Sequence, residues 1–321
     1  MEQSRPPLTC PTTDPWAWSP PTPGRIEQPV TLLRVDGSDS LKFLHGQTSQ
    51  SIESATPGQW LRTCCITPTA RMHALAEVLV DMEGAWLVIS AGDGSLVRGS
   101  LDRVLFPADR VQLGPLHHAL WIQPLDDGGS HPADRWTKWE GGNGFWLGES
   151  LLVRKPGSCC AEMDERRLLT THELERWRIQ RGRPASPTEI NTDTNPFELG
   201  LTRRVHLAKG CYVGQETLAK LATYDGVRRQ LRRWHCSLAD IKFGEHFVSG
   251  QTLRDAEGRR AGQITSSLRL SKEGWIGLAL VRRGWLQEER LLAGEDALAV
   301  NLSIPDEFET PPVGAGGSGQ G

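Results

Sequence analysis

The sequence predicts an α+β protein built of lobes, the last of them a small β-barrel. Three observations carry that prediction. Between Val30 and Leu116, strand and helix signals run in the order strand, helix, two or three strands, helix, strand. That is the order of a ferredoxin-like split βαβ unit, with its helices on one side of an antiparallel sheet. Beyond Ser237 the texture changes to short alternating strands separated by turns. The length, 321 residues, suffices for two domains or three small ones with cores of their own.

Each element has its local reason. Residues 1–28 carry seven prolines and the acids Glu2, Asp14 and Glu27, with no basic-then-apolar signal pattern, and read as a disordered leader. The first lobe is placed at 29–125. In it VTLLRV reads as a strand, and Ser38 as the N-cap of a short helix carrying Leu41 and Leu44 and stopping at Gly46. WLRTCCIT and HALAEVLV read as paired strands, and AWLVIS as a third. SLVRGSLDRVLF puts Val97, Leu101, Val104 and Leu105 on one helical face before Pro107, and RVQLGPL supplies the last strand. A second α+β lobe is placed at 126–236, after a stretch rich in Asp, Gly, Pro and His. There Thr170 and Glu173 form a capping box for a helix with Leu174, Trp177 and Gln180 or Arg181, closed by Gly182 and Pro184. FVSGQTLRD, RRAGQITSSLRL, WIGLALVRR and DALAVNLSI then make the barrel at 237–306, and 307–321 form a flexible Gly-rich tail.

Composition narrows the function classes. With 38% hydrophobic and 23% charged residues and no run of about 18 apolar residues, the chain reads as an ordinary soluble protein that spans no membrane. A formal net charge of -3 gives no global attraction for nucleic acid or acidic lipid. The seven cysteines include two vicinal pairs and no CxxC, so neither a zinc knuckle nor a secreted disulfide framework is indicated, and a reducing cytoplasm is the expected home. Walker, Rossmann and serine-hydrolase patterns are missing in the contexts they need.

KGCYVGQE, Lys209 to Glu216, is the most informative stretch. Gly210 and Gly214 allow a tight turn that delivers the start of a helix, QETLAKLA. Glu216 in that first turn can accept two parallel hydrogen bonds from a planar N–C–N edge, or is simply a helix-start acid. Cys211, beside Lys209 and a helix N-terminus, is either an available thiolate or an inert buried thiol. From Arg203 to Arg233 there are eight Lys or Arg against two acids, Glu216 and Asp225. Such a stretch holds carboxylates, phosphates or nucleic acid, or forms a solvated face. Tyr212 and Tyr224, the only tyrosines, both fall inside it.

At KGCYVGQE the chain resembles the YgfZ branch of the folate-binding proteins related to the glycine cleavage T-protein. FLHGQTSQSI, RIQRGRPASPTEINTDTNPFELGL and IGLALVRR are similar to further segments of that family, so the resemblance covers about residues 30–305. It implies T-protein-like lobes around a central cavity that holds tetrahydrofolate or a one-carbon derivative. It further implies that Glu198 and Glu216 face the pterin, that Lys209, Gly210, Tyr212, Gly214 and Gln215 complete the motif, and that Cys211 is the functional thiol. Arg228 or Arg229 is expected, on charge alone, to meet the glutamate tail. Aminomethyltransferases of the superfamily carry an acid in the strand after the first helix, where this chain has Ala74 and Leu75. The implied role is therefore a folate-dependent factor in assembly or repair of iron–sulfur enzymes, including those that modify tRNA, with those enzymes or assembly factors as partners. An aminomethyltransferase-like one-carbon transferase and a noncatalytic tRNA-associated scaffold are the alternatives.

Overall fold

The computed structural model describes residues 14–126, 134–153, 160–237, 246–271, 274–295 and 297–314. The first thirteen residues of the expected leader, the last seven of the expected tail, and Cys10 and Cys159 lie outside them.

In chain order the first unit comprises β1 (Gly24–Asp36), α1 (Ser40–Gln47), β2 (Trp60–Ile66), β3 (Met72–Val80), β4 (Gly84–Gly92), α2 (Gly94–Asp102) and β5 (Gln112–Leu125). The strands lie in the order β2-β3-β4-β1-β5, every neighbouring pair antiparallel. This is the expected ferredoxin-like arrangement with β2 added at one edge. One face presents Leu33, Val35, Ala76, Val78 and Leu87 to Leu44 of α1 and to Val97 and Leu101 of α2. Burying each of those helix side chains contributes about 1.5–3 kcal/mol. That outweighs the roughly 1 kcal/mol that a mid-helix glycine such as Gly99 costs, so α2 forms on packing rather than propensity.

Several boundaries differ from the sequence expectation. β1 begins at Gly24, inside the expected leader, because Gly24 to Gln28 pair with Leu125 back to Trp121. Upstream, the backbone carbonyls of Trp16 and Trp18 accept from Gln180 Nε2, so the chain from Asp14 is packed. Asp39 rather than Ser38 precedes α1, and α2 ends at Asp102, leaving Val104 exposed.

The composition change after Pro124 does not separate two sheets. β6 (Trp136–Trp139), β7 (Gly144–Leu147) and β8 (Ser150–Val153) extend the same sheet, β8 pairing with β5. The sheet curls until the start of β6 meets the start of β2, where Trp60 N donates to Asp134 O at 2.6 Å and Trp136 N to Gly58 O at 3.0 Å. Trp60, Trp121, Trp136 and Phe145 fill the inside of that curl.

The chain continues through α3 (Ala161–Asp164), β9 (Arg167–Leu168), α4 (Thr171–Arg181) and α5 (Gln215–Thr223). The capping box of α4 is present, with Thr170 and Glu173 bonded reciprocally and Gly182 in the left-handed conformation at its end. The barrel closes as β10-β13-β12-β11-β14-β15, from β10 (Arg229–Cys236), β11 (Thr252–Arg254), β12 (Arg260–Leu270), β13 (Gly274–Arg282), β14 (Arg290–Ala293) and β15 (Leu298–Ser303). It starts eight residues before the expected boundary because β10 pairs with both β13 and β15. One apolar core joins all three parts: Cys64, Ile66 and Met72 of the sheet, Phe197, Leu199 and Tyr212 of the middle segment, and Ile276, Leu278 and Leu280 of the barrel. Residues 304–314 run back over the middle segment, so the part of the expected tail up to Gly314 is packed.

Candidate functional site at the junction of the lobes

The two glycines of KGCYVGQE do what the sequence reading asks of them. Gly210 has φ +92° and Gly214 φ +79°, and a Cβ on Gly214 would lie 2.8 Å from Thr67 O. Only glycine lets the turn approach the sheet this closely before α5 begins.

Lys209 anchors the turn. Its Nζ donates to the carbonyl oxygens of His45 in the last turn of α1, of its C-cap Thr48 at 2.7 Å and of Gln50 just beyond at 2.7 Å, close to where unpaired helix carbonyls collect. Burial pulls its pKa down to about 7. His45 Nδ1 accepts from the backbone N–H groups of Ile52 and Glu53, so its proton sits on Nε2, which donates to Lys209 O at 2.7 Å. Val213 N donates to Gly46 O at 3.0 Å. Thus FLHGQTSQSI and KGCYVGQE, far apart in sequence, are one clamp. Tyr212 lies beneath it, with Lys209 Nζ 4.4 Å from its ring centre and its buried hydroxyl without a hydrogen-bond partner among the described residues. Burial raises that phenol above its ordinary value. Gln215 Nε2 donates to Leu207 O at 3.3 Å. Cys211 is an exposed free thiol at the rim of the turn.

The structure does not bring Glu216 to Glu198. Glu198 is buried at the interlobe core, its two oxygens receiving Arg229 Nε and Nη2, each at 3.0 Å, and its Oε2 also receiving Asn195 N at 3.2 Å. The Glu216 side chain is 84% exposed and pairs with Lys220 at 2.6 Å. The helix explains this. α5 buries Leu218 and Ala222, and at about 100° per residue position 216 falls about 200° from position 218, on the solvent side. Arg229 is likewise not free for a distant tail, since Glu198 and Asp193 O take it up. Arg228 is exposed, its backbone oxygen accepting from Arg283 N.

The basic stretch is not a basic face in the folded chain. Arg203 pairs with Glu309, Arg204 with Glu77 and Arg233 with Asp306, while Arg232 is buried over the Phe308 ring. Acids distant in sequence, Glu77, Asp306 and Glu309, the last two on the segment 304–314, thus take up three of its arginines. Sequence reasoning missed these partners, and it missed Glu77. Glu77 is buried in β3, with its carboxylate held by Arg204 Nη2 and Trp60 Nε1, each at 3.0 Å. Ala74 and Leu75, where the resemblance leads one to expect the transferases' acid, are buried and apolar. A separate cavity of about 220 Å³, lined by Asp126, Trp146, Glu149, Glu162 and Arg166 among others, includes none of the motif residues.

The architecture is that of the glycine-cleavage aminomethyltransferases. The solved structure of aminomethyltransferase T from Bartonella henselae superposes with a TM-score of 0.68 over 89% of this chain and 88% of that one, at 18% identity. Residues 238–310 match the family model of the CAF17 C-terminal β-barrel domain. Over 318 residues the chain is 27% identical to an Arabidopsis thaliana protein named as a candidate chloroplastic transferase, covering 89% of this chain and 71% of that one. It is also 20% identical, over 85% of its length and 94% of the other, to an uncharacterised protein of Haemophilus influenzae. The barrel thus matches the CAF17 family model and the chain as a whole shares the aminomethyltransferase fold, which together support a YgfZ-type, aminomethyltransferase-like protein.

Proposed function

We propose that this protein binds a reduced folate at the junction of its lobes and acts in the assembly or repair of iron–sulfur enzymes, including tRNA-modifying ones, in a reducing compartment such as the cytoplasm. The observation that carries the folate reading is Glu198. It is a carboxylate buried where all three parts meet, with a bidentate arginine that orients it. A buried carboxylate must be paired, and with three donors already on it Glu198 keeps about one acceptor site, on Oε1, for one N–H of a planar ring edge. In a titration with 5-formyltetrahydrofolate, the wild type binds saturably. Glu198→Gln, which leaves Arg229 unmatched, weakens binding by about tenfold or more. Absence of saturable binding to the wild type rejects the reading.

Cys211 is the thiol offered to partners, since it is exposed while Cys160 is half-buried and Cys64, Cys65 and Cys236 are buried. Rescue of a strain lacking its own family member should be lost with Cys211→Ala and kept with Cys64→Ala. Equal rescue removes Cys211 from the mechanism.

The likeness in fold favours a one-carbon transferase as the second reading. Against it stand the apolar Ala74 and Leu75 and the engagement of Glu77 by Arg204 and Trp60, which leave the proton transfer of such a reaction without a free acid on β3. Formation of methylenetetrahydrofolate from an aminomethylated carrier protein would reverse the order of the two.

A further inference from the structure

Each ring nitrogen of His45 has its own task in the Lys209 clamp. Nδ1 accepts from the backbone N–H groups of Ile52 at 3.2 Å and Glu53 at 3.1 Å, which folds the chain after α1 back over the helix end. That fold brings the carbonyls of Thr48 and Gln50 beside the carbonyl of His45, where all three receive Lys209 Nζ. Nε2 donates to Lys209 O at 2.7 Å and so holds the same residue by its backbone. One histidine thus grips Lys209 from both ends, and Cys211 stands two residues further along the turn. Other bonds across this seam run through backbone and hydroxyl groups, which do not titrate: Val213 N donates to Gly46 O at 3.0 Å, His206 N to Ser49 O at 2.9 Å and Ser49 Oγ to Arg204 O at 2.6 Å.

Both tasks require a ring with one proton, on Nε2. A backbone N–H can only donate, so a proton gained by Nδ1 would face two donors and break both bonds to the loop. Histidine is the side chain that ordinarily changes charge between about pH 5 and 8. The surroundings give a charged ring little balance. Across the elements that meet here, α1, residues 48–59, β2, β4 and residues 205–214, the single acid is Glu53, and it is exposed. The basic groups on them are Lys42, Arg62, His206 and Lys209, beside the thiols and the Tyr212 phenol. Lys209 also titrates in this range, burial bringing its pKa to about 7, so a pH step at the clamp has two sources to tell apart.

We propose that His45 is the positioning residue of the Cys211 turn, holding it in place as the neutral ring with its proton on Nε2 and releasing it on acidification. Its bearing on function rests on Cys211 being the thiol offered to partners, which rescue by Cys211→Ala tests separately. The test is amide hydrogen exchange of the full chain, read by mass spectrometry at about pH 7.5 and about pH 5.5, with exchange times scaled for the intrinsic pH dependence. Wild type, His45→Gln and Lys209→Met are compared. In the wild type, protection in peptides covering 48–53 and 209–214 should fall about tenfold at the lower pH, while peptides from β13 keep theirs. His45→Gln, which has no ring to titrate, should show equal protection at both pH values, and Lys209→Met should keep the step in 48–53. A step that survives in His45→Gln and vanishes in Lys209→Met belongs to the lysine and overturns the proposal, as does equal protection in the wild type at both pH values. Should His45→Gln fail to fold, nitrogen NMR shifts of the wild-type His45 ring decide. A proton on Nε2 alone at the higher pH, with Nδ1 gaining one across the exchange step, supports the proposal. A ring that stays neutral through the step, or carries its single proton on Nδ1, overturns it.

Discussion

Lys209 shows how one side chain can tie a functional turn to a distant helix end. Three backbone carbonyls accept from its Nζ, and removing the amine strands them in a poorly hydrated place. Lys209→Met should therefore cost about 2 kcal/mol or more in urea unfolding, in line with one or two unsatisfied buried acceptors. The pH dependence has a definite sign. Burial holds Lys209 near 7 in the folded chain, below its ordinary 10.5. Between those values the unfolded chain holds the extra proton, so this group's contribution to stability rises with pH through that window. Lys209→Met should flatten that rise, and an unchanged pH profile would deny the lysine its buried setting. At this scale the sequence was legible where a residue's role is local. The positive φ of Gly210 and Gly214 follows from the turn itself, whereas the sequence leaves Cys211 open between exposed and buried and only the fold exposes it. The partners of Arg229, Arg204 and Arg233 were not legible, because each is chosen by the fold from segments far away in sequence.

Secondary-structure elements were read most faithfully where both ends carry their own signals. α4 has a capping box at Thr170 and a left-handed glycine at Gly182, so its limits follow from local chemistry. The sequence places α5 but not its rotation, and the rotation sends Glu216 to solvent. Only the burial of Leu218 and Ala222 settles that orientation. β1 outran its expected start because its first residues are held by β5 rather than by propensity. The segment 304–314 is the clearest case of tertiary control. From residue 307 on its composition reads as a tail, yet Phe308 packs so closely that a Cβ on Gly200 would lie 2.4 Å from the ring. Gly200 also has φ +73°. Gly200→Ala should then cost about 2–3 kcal/mol, from backbone strain plus overpacking. Gly210→Ala, with φ +92° and no atom within 4 Å of the added methyl, should cost only about 1–2 kcal/mol, from strain alone. Equal losses in thermal unfolding would mean that Phe308 does not hold the segment down.

Across the whole molecule, the curled sheet, the middle segment and the barrel meet in one core, and the residues of interest lie on its seams. Glu198 and Arg229 join the middle segment to the first barrel strand, the Lys209 clamp joins it to α1, and Arg204 joins it to β3 through Glu77. The alternation of strands and helices made the first sheet and the barrel legible. The seams were not, since a charge excess counted along the chain says nothing about the acids that fold against it. The central claim is that a reduced folate occupies the junction at Glu198. Native mass spectrometry of the purified full chain, before and after incubation with excess 5-formyltetrahydrofolate, tests it most directly. The wild-type chain should gain one folate mass, and Glu198→Gln should need about tenfold more folate, or more, to gain it. A wild-type chain that shows only its own mass under both conditions contradicts it.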